Sequence, residues 1–312
     1  MSYELRHDEG IGDGLRLICR KQIDLALQIV NGDREPDDTP VHEVRKHIKK
    51  ARAAVHLLKK EIGRGLFKRQ DHCLRDVGRL ISDIRDAEVR LQTVRELQGI
   101  KQRRKRRTYA KVEELLVLEL ENFMAAFAEW QSQAAPMLLR AREELEIWSV
   151  EKFGPAQLCC ALQQSYKCAR QGLAAAKASS TPEDFHAFRS KAKQLWYQLR
   201  LVRPADPVVL KNLTDELHSI GDLLGRAHDL SFLGDRLRQD HGHSAAEREG
   251  HNLLAVIEAS ESDLQRAAAE LADRFFSEKA RDFGARVASW LKDWTEEHSP
   301  SIAGEFAAGV MH

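Results

Sequence analysis

The chain has 312 residues, 43% hydrophobic and 31% charged, with a net charge of only +1, so it is not globally basic and any attraction for anions must come from local segregation of charge. Five cysteines, an odd number without a C-x-x-C pair, argue against a disulfide framework and for a reduced, cytoplasmic setting. No apolar run approaches the ~20 residues of a membrane span, and the opening MSYELRHDEG lacks the apolar centre of a signal peptide.

Period-two alternation is absent, and Ala, Leu, Glu, Arg, Lys and Gln dominate, so the expected fold class is all-α. A first helix is predicted over 11–31, ending near Asn31-Gly32, and the acidic linker NGDREPDDTP follows. Thr39 as N-cap and Pro40 in the first turn open a helix over 40–61, which Gly63 and Gly65 end. A third helix is predicted over 67–98. The loop KQRRKRR (101–107) then holds six positive charges in seven residues and reads as a solvated connector. A helical stretch over 108–150 follows, kinked at Pro136. Gly154-Pro155 starts the series again with a helix over 156–178. Thr181 and Pro182 open the next, which runs to Arg203. The segment PADP separates it from a helix over 207–240. The turn DHGHS, with His241-Gly-His243 as a solvated feature, leads to a long helical region over 245–298. The last dozen residues are expected to fray.

Two of these helices carry the same double stripe. In the first, His42, Arg45, Lys49, Arg52, His56 and Lys59 recur at steps of three and four, and Val41, Val44, Ile48, Ala51, Val55 and Leu58 do so one residue ahead. In the second, His186, Arg189, Lys193, Trp196, Arg200 and Arg203 accompany Phe185, Phe188, Ala192, Leu195, Leu199 and Val202. Such steps mark one helix face, so each helix has an apolar ridge and, beside it, a cationic one. The stripes align at a separation of 144, from His42 to His186. Further on, Gly78 and Leu80 align with Gly221 and Leu223, and Arg85-Asp86 with His228-Asp229, at an offset of 143. The expected architecture is an internal duplication: two pseudo-symmetric four-helix units, 1–152 and 153–312, with a central basic groove or pore.

A basic helix face is ordinarily just solvated. Here no carboxylate interrupts the stripe, and like charges at this spacing cost roughly 0.2–0.5 kcal/mol per pair. Dry, unpaired burial would cost several kcal/mol per ion. The stripes must therefore face a wet groove, acidic partners in the fold, or a bound polyanion. The first spans about 25 Å at ~1.5 Å per residue, long enough for a linear polyanion. Arg offers bidentate phosphate contacts, Lys a point charge, and His a proton that an anion would stabilise.

HEVRKHIKKAR (42–52) and HAFRSKAK (186–193), each followed about 42 residues later by Arg-Asp or His-Asp on the third helix, resemble the CHAD family over nearly the whole chain. The resemblance implies a helical fold with a central basic groove that binds inorganic polyphosphate, in some members at polyphosphate granules. His42, Arg45, Lys49, Arg52, His186, Arg189 and Lys193 transfer by position, and Arg85 and His228 follow them. Lys46, Lys50, His56, Lys59 and Arg200 complete the expected site. Trp196 stands where the first stripe has Arg52, and Ser190 where it has Lys46, so the stronger grip is expected on the His42–Lys59 side. Family members are often joined to a triphosphate-tunnel domain; no such β-rich segment fits here, so no catalysis is carried over.

The expected function is therefore non-enzymatic polyphosphate binding in the cytoplasm. The alternatives are a nucleic-acid binder, and a phosphate-chain enzyme or phospho-histidine carrier. P-loop, G-x-S-x-G and H-E-x-x-H motifs are absent. Few aromatics interleave with basic residues, which disfavours a stacking platform for single strands. No cofactor and no protein metal site are expected, although a divalent cation can arrive with the polyphosphate.

Overall fold

The structure, a computed structural model, describes residues 3–101, 109–239 and 245–297. No strand occurs among them. The first part of the chain forms α1 (Ile11–Val30), α2 (Pro40–Leu57), α3 (Gly63–Leu80), α4 (Ser82–Lys101), α5 (Ala110–Ala126) and α6 (Trp130–Glu143). The second forms α7 (Pro155–Ser179), α8 (Pro182–Leu201), α9 (Pro207–Arg238), α10 (Ala245–Phe275) and α11 (Ala280–Glu297). None of these helices is long and apolar enough to cross a membrane.

The two striped helices, α2 and α8, begin in the same way. Thr39 and Thr181 are extended N-caps whose hydroxyls accept from His42 N at 3.2 Å and Asp184 N at 3.3 Å, and a proline follows each. Their twelve ridge residues, from Val41 to Leu58 and from Phe185 to Val202, are all buried, none more than 9% exposed. Around them the packing is matched. α1 lies on α2 as α7 lies on α8; α4 meets α5 as α9 meets α10; α6 covers α1 as α11 covers α7. α2 and α8 touch in the middle, where Gln198 Nε2 donates to the Ala53 carbonyl at 3.2 Å. One core runs continuously through both halves of the chain, and a smaller one, including Leu91, Val94, Val112, Leu116, Leu233 and Ile257, joins α4, α5, α9 and α10.

Several predicted helices are interrupted. The one over 67–98 is two, α3 and α4, parted at Ile81. A break orphans the last carbonyls of the first helix. Two are taken by side chains: Arg45 Nη1 donates to Gly78 O at 2.7 Å, and Ser82 Oγ to Arg79 O at 2.7 Å. The 108–150 stretch breaks at 127–129, and Pro136 lies inside α6. That break hands the chain from α5, in the smaller core, to α6, in the main one. The 245–298 region breaks after Phe275, where Tyr166 Oη donates to the carbonyls of Phe275 (3.2 Å) and Glu278 (3.3 Å), and Arg170 Nε to Phe276 O (3.0 Å). α2 stops at Leu57 and α8 at Leu201, so Lys59 lies in a turn and Arg203 in a short 3-10 helix. Gly63, with φ 79°, starts α3 instead of ending α2. Residues 102–107 of the basic loop, 240–244 around His241 and His243, and the last residues from 298 lie outside the described residues.

Candidate anion-binding cleft

A cationic stripe about 100° round from a buried ridge lies at the edge of the helix interface. Where α2 and α8 pack together, their two stripes meet, and a cleft of about 630 Å³ opens between them, with α4 and α9 as its other walls. It is lined by eight Lys and Arg, four His and two Asp. α2 contributes His42, Arg45, Lys46, Lys49, Arg52 and His56; α4 contributes Arg85; α8 contributes Arg189 and Lys193; α9 contributes His228.

Four expected residues do not line it. Lys50, one step round α2 from Lys49, holds its ammonium 5.4 Å from the Tyr3 ring centroid. Lys59, past the helix end, lies over Phe67 at 5.0 Å. Arg200 stacks between Tyr3 (5.7 Å) and Trp196 (4.8 Å). His186 is exposed beside the cleft, its ring 4.4 Å from that of His228.

The cations of the cleft are unequally neutralised. Asp71 on α3 accepts from Arg52 Nε at 2.8 Å and pairs with His56 Nε2 at 3.0 Å. Burial works to raise the pKa of Asp71, but the hydrogen bonds from His56 and Arg52 outweigh it and hold the carboxyl well below the usual range. Lys46 pairs with buried Glu43, Arg85 with Glu88 at 3.2 Å, and Lys193 with Asp222 at 3.4 Å. Arg45 is anchored on the Gly78 carbonyl. Among the described residues no carboxylate pairs with Lys49 or Arg189, and the buried Nε of Arg189 meets no acceptor. The far end of α2 is thus already occupied by an acid of the fold. Charge that no carboxylate pairs with is left at Lys49 on α2 and at Arg189 and Lys191 on α8, on both sides of the seam.

Lys49 is exposed to the cleft. Burial first, then Arg189, Arg45, Lys193 and Arg85, depress its pKa to about 7. Cleft water reaches the ammonium and weakens the burial effect, so the depression rests most securely on the like charges. Burial, helped by His228, Arg189 and Lys49, lowers His186 to about 4. Burial and Arg85 lower His42 against the pull of Asp38 and Glu43. Asp86 moves the other way: burial raises it against Arg45, Arg90 and His228.

Two glycines of α9 make room for the cations of α8. A Cβ at Gly221 would lie 2.8 Å from Lys193 Cε, and one at Gly225 3.3 Å from Arg189 Nη2. The same face carries a lining residue that the stripe pattern missed. His218 stacks on Trp196 (5.3 Å between centroids) and pairs with Asp222 at 3.2 Å. The spacing His218, Gly221, Gly225, His228 was the available signal. Trp196 does more than interrupt a stripe: Lys193 also lies over its ring, at 4.7 Å.

A larger cleft of about 860 Å³ adjoins this one at Arg85, Val89 and Asp229. Its acids, among them Asp38, Glu88, Glu96 and Asp263, outnumber its Lys and Arg, so its charge is opposite in sign to that of the smaller cleft. Among the described residues no group of three or more His, Cys, Asp or Glu is placed to hold a metal ion.

Residues 18–238, which include every helix that lines the basic cleft, match the CHAD domain family. The chain belongs to the CHAD family. That family is known for polyphosphate-related binding. Among solved structures, the fold is similar to that of PptA from Streptomyces chartreusis, with a TM-score of 0.62 and 16% identity, covering 86% of this chain and 100% of that one. It is also similar to the CHAD domain from the plant Ricinus communis, with a TM-score of 0.57 and 17% identity, covering 86% and 93%. At these identities the likeness is one of fold. No curated protein matches the chain.

Two outcomes are expected for this CHAD cleft. Asp71→Asn removes two charge-assisted hydrogen bonds and lowers stability by about 1.5–3 kcal/mol at neutral pH. Because the native pKa of Asp71 is depressed, its contribution is complete above the unfolded value and disappears as pH falls through the native one; urea denaturation of both proteins across acid pH should show the difference closing. Gly221→Ala adds a better helix former, worth about 0.5–1 kcal/mol, but displaces Lys193. Melting should show unimpaired stability, and titration with tripolyphosphate a several-fold weaker affinity.

Proposed function

We propose that this CHAD domain binds inorganic polyphosphate in the cleft between α2 and α8, as a binding module without chemistry of its own. The observation that carries this reading is the pair Lys49 and Arg189, which no carboxylate neutralises among the described residues and which Arg45 and Lys193 flank. A repeating phosphate chain offers each of them an acceptor. Arg189 presents a planar fork and an unsatisfied buried N–H, and Lys49 a point charge. A divalent cation bound to the chain would travel with it. The matched packing of α1 on α2 and α7 on α8 supports an internal duplication into units 1–152 and 153–312, which sets the two stripes against each other about a pseudo-two-fold axis. We place the protein in the cytoplasm, at polyphosphate granules.

Nucleic acid fits less well. The half-buried aromatics of the cleft are already covered: Trp196 carries His218, Lys193 and Arg200 against its ring, and Phe232 carries His228 and Arg90, so no open platform is left for a base.

Changing Arg45, Lys49, Arg189 and Lys193 together to Ala should lower affinity for long-chain polyphosphate by at least ~100-fold, since one charge-assisted contact contributes about 1.5–3 kcal/mol, with circular dichroism unchanged. Wild-type affinity should also fall steeply with salt. Undiminished binding by the variant, or a preference for RNA or duplex DNA over polyphosphate at physiological salt, would contradict the proposal. Binding should also take up protons. A polyanion raises the pKa values that the free cleft depresses, about 4 for His186 and about 7 for Lys49. Affinity therefore rises as pH falls through the bound-state values and levels off below the free-state ones. Calorimetry in buffers of different ionisation enthalpy would read this; net proton release at pH 7 is the opposing result.

A further inference from the structure

Lys49 differs from the other cations of the cleft in having both a like-charged surround and an open face. α2 carries it into the seam with α8, where Arg45, Arg85, Arg189 and Lys193 surround it and no carboxylate among the described residues pairs with it. Cationic neighbours make an ammonium release its proton, which is how a lysine becomes a nucleophile near neutral pH. Burial in the seam first, and then these neighbours, push the amine down to about 7. The neighbours that do this are also phosphate binders: the Arg45 and Arg189 guanidinium groups line the same cleft. A free-base amine and a binding place for an anionic leaving group therefore coincide at one side chain. Lys50 is the natural comparison. Burial and Arg200 lower it to about 8, but its ammonium lies over the Tyr3 ring, outside the cleft. Lys60 and Lys68 are exposed and also lie outside the cleft.

We propose that Lys49 is a site of non-enzymatic acylation by acyl phosphates, with the phosphoryl group of the reagent held by Arg45 and Arg189. The free amine attacks the carbonyl carbon. A C–N bond forms, the C–O bond to the phosphoryl group breaks, inorganic phosphate leaves with the electron pair, and the surplus proton on nitrogen passes to water. No other reactant is needed. The amide product is uncharged and bulkier, so the cleft loses its central cation and part of its width. Acylation thereby turns off anion binding at the seam. A phosphate chain already in the cleft covers Lys49 and protects it; this last consequence alone rests on the polyphosphate reading.

The test is to incubate the full chain with acetyl phosphate at pH 7.5 and low salt, and to follow acetylation of each lysine by peptide mass spectrometry. A neutral reagent, the N-hydroxysuccinimide ester of acetic acid, serves in parallel. Lys49 should react with acetyl phosphate roughly tenfold or more faster than Lys60 and Lys68, as an activated amine does. The ratio of Lys49 to Lys50 should be several-fold higher with acetyl phosphate than with the neutral ester, and Arg189→Gln should bring the two ratios together. Equal rates at Lys49, Lys60 and Lys68, or the same Lys49-to-Lys50 ratio with both reagents, would overturn the proposal. Long-chain polyphosphate should suppress the reaction at Lys49. Selective acetylation without that protection supports the modification site while counting against polyphosphate in this cleft. Polyphosphate binding without selective acetylation overturns the modification site and leaves the polyphosphate reading standing.

Discussion

Repulsion between two rows of cations, brought together by the burial of the apolar rows beside them, is the constraint around which this molecule is built. α2 and α8 cannot bury their ridges at the centre of the fold without also bringing their basic faces to a common cleft. Each fully buried Val, Leu, Ile or Phe contributes about 1.5–3 kcal/mol, and there are twelve ridge positions to oppose the charge. Two unit charges ~4 Å apart near a protein surface interact by about 4 kcal/mol, so repulsion of that size must be relieved locally. The relief is visible residue by residue. Asp71 takes Arg52 and His56, Glu43 takes Lys46, Glu88 takes Arg85, and Asp222 takes Lys193. Arg45 is satisfied by a carbonyl that the break at Ile81 leaves free. Among the described residues relief stops at Lys49, Arg189 and the exposed Lys191, and that remainder of uncompensated charge is what makes the cleft a candidate site.

Much of this was legible in the chain. The ridges could be read because burial on a helix repeats at three and four residues, and the starts of α2 and α8 because Thr-Pro supplies both a cap and a first turn. The interruptions at Ile81, at 127–129 and after Phe275 could not. At the first and last of these, groups far away in sequence, Arg45 and Tyr166, satisfy the exposed carbonyls. The site divides along the same line. A stripe places Arg52 and Lys49 on one face, but which of them is free depends on Asp71, nineteen residues beyond Arg52 on another helix. Lys50 and Arg200 left the cleft for Tyr3, a residue near the start of the chain that helix periodicity does not connect to them.

Positions that match in sequence perform different tasks. Arg45 is tied to the Gly78 carbonyl, whereas its counterpart Arg189 lies along Gly225 with an unsatisfied Nε. Lys49 is unpaired, whereas Lys193 leans on Asp222 and Trp196. Where the first half breaks between α3 and α4, α9 runs on without interruption through the matching residues. The cleft thus has two unlike walls: one presents a lysine that no carboxylate pairs with, and the other a guanidinium whose buried Nε lacks an acceptor.

The most direct measurement is a crystal structure of the protein with a polyphosphate of defined length. The account predicts phosphoryl oxygens within hydrogen-bond reach of both Lys49 Nζ and the Arg189 guanidinium, with the chain running along the α2–α8 seam. A chain bound elsewhere, for example on the basic segment 101–107, with Lys49 and Arg189 left without a ligand, would contradict it.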